Sequence, residues 1–202
     1  MNNLVLLAKQ AVEKYIEAEN IIEPPEDFPK KFLERKAGTF VSIFRSTRGT
    51  NAEQKRGTDA EKELRGCIGT YLPTKKNIIE EIIHNAIAVA TEDYRFGPIQ
   101  KEELPYLSYE VSILSEPELI TDIKELDPKK YGIIVKSQGF ASGSDVIFNT
   151  APKSYQKTGL LLPDLEGVDT IEKQISIACH KGGINPTKEK ILIYKFTVEK
   201  YQ

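Results

Sequence analysis

The segment YLSYEVSIL, residues 106–114, constrains this chain more than any other. Leu107, Tyr109, Val111 and Ile113 alternate with Ser108, Glu110 and Ser112, and a strand turns successive side chains to opposite faces. One face of such a strand needs an apolar cover while the other carries hydroxyls and a charge. The chain must therefore build a sheet with two unlike faces. GTFVSIFR (38–45), YGIIVK (131–136), SDVIFN (144–149) and ILIYKFTVE (191–199) are rich in β-branched and aromatic residues and read as further strands. LRGCIGTYLP (64–73) reads as a short strand or turn interrupted by Gly66 and Gly69.

The cover for that sheet comes from helical stripes. Leu4, Leu7, Ala8, Ala11, Val12, Tyr15 and Ile16 fall at helical spacing, as do Ile78, Ile79, Ile82, Ile83, Ala86, Ile87 and Ala90. Asn77 with Glu80 resembles a capping box at the start of the second helix. DYRFGP ends that helix, and Gly97 and Pro98 make the stop sharp. A third helix is expected over 169–183, capped by Asp169 with Glu172 and ended at Gly182 or Gly183. Pro24, Pro25 and Pro29 force the stretch between the first helix and the first strand to run extended. Residues 46–63 and 150–159 are polar and read as loops. Strands and helices do not alternate as a doubly wound parallel sheet requires. The expected fold is α+β, an antiparallel or mixed β-sheet flanked by helices, in a single domain over 1–202.

Several function classes recede on composition. Lysines and arginines number 28 against 30 aspartates and glutamates, so the net charge of −2 supplies no field for nucleic acid, and such binding is not favoured. The beginning MNNLVLLAKQ lacks the basic leader and long apolar core of a signal peptide, and no run nears the roughly 20 apolar residues of a membrane span. Two cysteines far apart, Cys67 and Cys179, make no disulfide framework and suit a reducing, cytoplasmic setting. With two histidines and neither CxxC nor HExxH spacing, metal binding ranks low. No glycine-rich phosphate loop and no GxSxG motif is present, and no motif names a cofactor.

Four places carry polar groups that packing alone does not demand. In LRGCIGT, simple alternation would put Arg65, Cys67 and Gly69 on one face and Leu64, Gly66 and Ile68 on the other. Glycines on both sides of Cys67 let a ligand or another backbone approach the thiol, and a guanidinium beside it favours the thiolate. Glu110 is the one charge in its strand, on a face shared with two serines, suited to orient a group or accept a proton. Asp93, Arg95 and Phe96 lie in DYRFGP, where the arginine either braces a helix end or grips an anionic ligand. In CHKGGI, Cys179 falls on an apolar stripe with Ile171, Ile175 and Ala178, and Lys181 stands near the helix end.

LRGCIGT resembles the most recognisable stretch of the AMMECR domain family, named for the human Alport, midface hypoplasia and elliptocytosis chromosomal region. GTFVSIF, ATEDYRFGPI, EELPYLSYEVSIL, GLLLP (159–163) and CHKGGI (179–184) extend the likeness over nearly the whole chain in the family's order. The resemblance implies a two-lobed α+β fold with an antiparallel sheet and a cleft at LRGCIG. It carries over Arg65, Gly66, Cys67, Ile68 and Gly69, then Asp93, Arg95, Phe96 and Glu110, as candidates for that site. Lys181 stands where the family has the lysine of a KAG-like turn; this chain has KGG. Two stretches, 46–63 and 137–159, run longer than the family pattern.

Two functional readings are open. One is a ligand-binding or enzymatic cleft centred on Cys67, with Arg65 and Arg95 as anion contacts and an unnamed small molecule as ligand. The other is a regulatory module that docks a protein, with Cys67 structural. The resemblance associates that second reading with a Memo-like protein or a radical-SAM protein. Oligomeric state is open in both.

Overall fold

The computed structural model describes residues 2–25, 28–46, 62–137 and 157–202. In chain order the elements are α1 (Asn3–Ala18), α2 (Lys30–Glu34), β1 (Thr39–Ser46), β2 (Lys62–Gly69), α3 (Ile78–Thr91), β3 (Leu107–Leu114), β4 (Glu118–Leu119), β5 (Gly132–Ser137), β6 (Thr158–Leu161), α4 (Ile171–Lys181), β7 (Ile191–Phe196) and β8 (Val198–Tyr201). A 3₁₀ turn, Lys101–Tyr106, leads into β3. The strands form two sheets, each four-stranded among the described residues. The chain divides into two compact units, Met1–Leu114 with Glu199–Gln202, and Ser115–Val198. Among the described residues no helix is long and apolar enough to cross a membrane.

In the first unit the strand order is β2-β1-β3-β8, with β1 antiparallel to both neighbours. The alternation expected over residues 106–114 is present: Tyr109, Val111 and Ile113 join the core with Val41 and Ile43, against α1 and α3. The side chain of Asn2 starts α1 by accepting the Leu4 N–H at 3.0 Å. That of Asn77 starts α3 by accepting the N–H groups of Ile79 and Glu80, each at 3.0 Å. The stripe Leu4, Leu7, Ala8, Ala11 and Val12 is buried, and His84 is exposed, as its place opposite the α3 stripe requires.

In the second unit the order is β4-β7-β5-β6, antiparallel throughout. The core holds Ile133, Val135, Leu161 and Ile193 with Ala178 and Cys179 of α4. The cap of α4 is Thr170, whose hydroxyl accepts the Lys173 N–H at 3.2 Å, rather than Asp169, which pairs with Lys129 at 3.1 Å. Its end at Gly182 is where the sequence put it.

Three expected elements need correction. At residues 64–73, β2 starts earlier, at Lys62, continues through Gly66 with a register shift at Arg65, and ends at Gly69. The polar stretch 150–159 ends in strand, because Thr158 and Gly159 already pair with Lys136 and Val135. The run 191–199 is two strands parted at Thr197, with β7 in the second sheet and β8 in the first. The expected strand 144–149 and most of the loops 46–63 and 137–159 lie outside the described residues.

Candidate functional site

β2 is the edge strand of its sheet, and Cys67 lies near its end. The Cys67 N–H donates to Asp93 Oδ2 at 2.9 Å, and its carbonyl accepts from Arg95 Nη2 at 3.1 Å. Both peptide groups of Cys67 thus turn away from β1. In an antiparallel pair this defines the position where opposed side chains come closest. The residue opposite is Ser42, and across β1 from Ser42 stands Glu110. Three neighbouring strands therefore contribute one row on one face: Cys67, Ser42, Glu110. Within it the Ser42 hydroxyl donates to Cys67 Sγ at 3.3 Å. Ser42 is nearly buried and Cys67 half-buried. Glu110 is held at its far side by Gln202, whose Nε2 donates to Oε2 at 2.6 Å.

Asp93 and Arg95 act as a clasp on the edge of β2 that no strand among the described residues pairs with. Asp93 is buried just past the end of α3. It accepts from Arg95 Nε at 2.9 Å and Nη2 at 2.7 Å as well as from Cys67. Those bonds from Arg95 hold its carboxyl below the usual aspartate range despite burial, helped by the Cys67 N–H. The same bonds raise Arg95, and negative charge at Cys67 adds to the effect. Arg95 and Cys67 are thus electrostatically coupled.

Arg65 is placed differently from its expected position beside the thiol. The β1–β2 register shifts between Ile43 and Phe44, so that Gly66 opposes Ile43, Leu64 opposes Phe44, and Arg65 has no residue opposite it on β1. This bulge breaks the simple alternation of faces. The Arg65 guanidinium is buried against Glu103, with Nε at 2.7 Å from Oε2 and Nη2 at 2.9 Å from Oε1. It also donates to the carbonyls of Gly97 and Pro98 at 3.1 and 3.3 Å. Glu103 is held below the usual glutamate range, first by those Arg65 bonds. The arginine that meets Cys67 is Arg95.

The remaining candidates divide between scaffold and surface. A side chain on Gly66 would meet Val89 Cγ2 at 2.8 Å, so this glycine lets β2 lie against α3. Gly69 lies as tightly against Thr39 and Phe40, and Ile68 packs on the first core. Phe96 is partly exposed beneath the Arg95 guanidinium, 5.2 Å from ring centroid to Cζ. Lys181 is exposed at the end of α4 in the second unit. Cys179 is buried there, and burial pushes its thiol up.

Three participants escaped the sequence reading. Ser42 is the hydroxyl set between apolar Val41 and Ile43 in the middle of β1, a signal visible in GTFVSIF. Glu103 announces itself less, since its role depends on the bulge at Arg65. Glu81 sits within the α3 stripe yet is fully buried. It accepts from the hydroxyls of Thr70 and Thr74 and the N–H groups of Thr74 and Lys75, all within 2.8 Å. Burial works to raise it, and these hydrogen bonds prevail and lower it. The staple ties the chain leaving LRGCIG to the helix.

Residues 5–201 match the model of the family described as AMMECR1. A Thermotoga maritima protein is 43% identical over 195 residues, covering 96% of this chain and 94% of its own. A Clostridium acetobutylicum protein is 39% identical over 98% of this chain but only 35% of its own length, so the matching part is about a third of it. The crystal structure of an uncharacterised protein from Pyrococcus horikoshii matches with a TM-score of 0.74 at 33% identity, over 98% of this chain and 88% of that one.

Proposed function

The chain belongs to the AMMECR1 family, and from that premise we propose that its working centre is the row Cys67–Ser42–Glu110, with the Cys67 thiol as nucleophile or ligand contact. The observation that carries this reading is the Ser42 Oγ to Cys67 Sγ hydrogen bond of 3.3 Å. A hydroxyl donated to sulfur stabilises the thiolate, the form that attacks electrophiles. Arg95 adds positive charge from the backbone side of Cys67, while Asp93 keeps that arginine in place. Glu110 at the other end of the row serves as orienter or proton acceptor for a bound molecule. Arg65 and Arg95 each have a carboxylate partner, and so act more as braces of the motif than as open anion contacts.

The second reading, a module that docks a protein in a cytoplasmic setting, draws on the exposed aromatic rings flanking the clasp. Tyr94 is 93% exposed between Asp93 and Arg95, and Phe96 comes directly after them. A Memo-like or radical-SAM protein is the partner it would take.

Alkylation tests the first reading. Iodoacetamide on native protein between pH 6 and 9, with peptide mapping, reports Cys67 and Cys179 separately. Cys67 labels first, with a midpoint below the roughly 8.5 of an unperturbed thiol. Equal protection of both thiols until unfolding would make Cys67 a packing residue and leave the docking reading in possession.

A further inference from the structure

The first unit contains a cavity of about 520 Å³ beside Glu110, where β3 begins. Phe44, Lys62, Ser108 and Glu110 line it together with Leu107 and Tyr109, and α1 contributes Val5 and Lys9. Its size is that of a small-molecule site, and its walls are mainly aliphatic and aromatic. The ionisable side chains tilt positive. Lys62 has no ion-pair partner among the described residues, Lys9 reaches Glu13 only at 3.7 Å, and the single carboxylate in the lining, Glu110, already receives the Gln202 amide. Tyr109 is 6% exposed, and its hydroxyl is buried with no hydrogen-bond partner among the described residues.

The row Cys67–Ser42–Glu110 meets this cavity at Glu110: Phe44, Lys62, Ser108 and Glu110 line it from the row's face, whereas Val5, Leu107 and Tyr109 belong to the face that α1 covers. Glu110 belongs to both, and Phe44 and Ser108 are the next cross-strand pair along the same face. Cys67 and Glu110 lie two strand spacings apart, about 10 Å.

We propose that the cavity is the recognition pocket of the Cys67 site, taking an apolar or aromatic group that bears an anionic substituent, with the reactive end of the same molecule lying along the row at Cys67. The inference rests on the reading of Cys67 as the working thiol. It adds the class of molecule. The apolar body lies against Phe44 on the row's face, and Lys62, on the same face, meets the anion. Small neutral electrophiles reach Cys67 without using the pocket, and long anionic aromatic ones gain from it.

Two alkylating reagents separate these steps. Iodoacetamide is small and neutral. The iodoacetamide of aminoethylaminonaphthalene sulfonate carries an aromatic ring and a sulfonate on a spacer suited to the gap. In both, the thiolate displaces iodide: a sulfur–carbon bond forms, the carbon–iodine bond breaks, and iodide leaves. Rates at Cys67 in the native chain are divided by the rates of the same reagents on free N-acetylcysteine. The naphthalene sulfonate reagent comes out about tenfold ahead of iodoacetamide and saturates, as prior binding raises its effective concentration. Lys62→Glu brings the ratio of the two rates down towards that of the free thiol. Equal normalised rates with a fast iodoacetamide reaction would overturn the pocket and leave the nucleophile standing. Silence of Cys67 towards both reagents would remove the reading beneath it as well.

Discussion

The two motifs that carry a cysteine are held in place by different physics. Around Cys67, charged side chains grip the backbone: Asp93 takes its N–H, Arg95 its carbonyl, Glu103 fixes Arg65, and Glu81 ties down Thr70, Thr74 and Lys75. Around Cys179 the grip is backbone on backbone. Gly182 at the end of α4 lies against Thr158 and Gly159 of β6, and Gly159 in turn lies against the Ala178 carbonyl, so GLLLP and CHKGGI meet through their glycines. A contact of the first kind tunes the electrostatics of the thiol beside it and responds to pH. The second kind is indifferent to pH and admits no added atom. In the second setting burial raises the Cys179 thiol.

The comparison breaks most directly at Gly159. A Cβ there would strike Ala178 O, with Ala178 C at 2.8 Å and Gly182 N at 3.0 Å, all backbone atoms that cannot rotate aside. Gly159→Ala is expected to destabilise the second unit by about 3 kcal/mol, at the upper end for overpacking. Gly66→Ala should cost less, because the nearest atom is a Val89 methyl, at the end of a side chain. Urea unfolding of both variants measures the difference. A larger loss at Gly66 would mean that the LRGCIG motif is also set by steric contact.

Next in size is Glu81→Gln. The carboxylate accepts four hydrogen bonds in full burial, whereas an amide keeps one acceptor oxygen and points an NH₂ at donors. A loss of about 2–3 kcal/mol is expected from the stranded donors. Hydrogen exchange should locate it at residues 70–76. A loss under about 0.5 kcal/mol, the ordinary effect of a surface change, would show the staple to be idle.

How much of this was legible in the sequence depends on the same division. Steric periodicity is written locally, so the alternation of 106–114 and the stripes of α1 and α3 could be read directly. The bulge at Arg65 exists only in the pairing of β2 with β1, and neither strand announces it alone. That is why Arg65 seemed to share a face with Cys67. The split of 191–199 at Thr197 has a like origin: both halves are good strand sequence, and only their partners in different sheets separate them. Cys67, Asp93, Arg95 and Glu110, which the structure places close to one another along β2, β3 and the end of α3, were singled out by residue type and motif. Ser42 was not, because its importance lies in the strand opposite it.

Acid sharpens the comparison further. Glu81, Asp93 and Glu103 are all lowered in the folded state relative to ordinary values of 4.5, 3.8 and 4.5. A carboxyl lowered on folding contributes stability that is complete above its unfolded value and disappears as pH falls through the folded one. The first unit should therefore hold constant from pH 7 to about 5 and weaken progressively below 4.5. The lowered carboxylates of the second unit, Glu125 and Glu189, are solvent-screened and contribute little. Amide exchange at residues 64–69 and 171–181, compared at pH 6.5 and 3.5 after correction for intrinsic rates, should accelerate in the first segment alone. Equal acceleration would deny charge any special part in holding LRGCIG.

The smallest effect is the most specific. Ser42→Ala removes one hydroxyl from a nearly buried position and leaves the backbone pairing of β1 intact. Its bond goes to sulfur, a weak acceptor when protonated, so the loss of stability should stay near 0.5 kcal/mol, the low end for a hydrogen bond. The thiolate accepts far better than the thiol, so the hydroxyl matters most to the charged form. Alkylation of Cys67 at pH 7 should slow about three- to tenfold, the kinetic equivalent of one net hydrogen bond of ordinary strength. Cys179, in another unit and buried on its own, serves as the internal reference in the same digest. Ser42→Thr restores a hydroxyl on a β-branched side chain that suits a strand, and should recover most of the rate. Slowing by alanine with recovery by threonine ties the reactivity of Cys67 to the donated proton. Unchanged labelling in both would transfer the burden of thiolate stabilisation to Arg95, where Arg95→Gln would then have to produce the loss that Ser42→Ala did not.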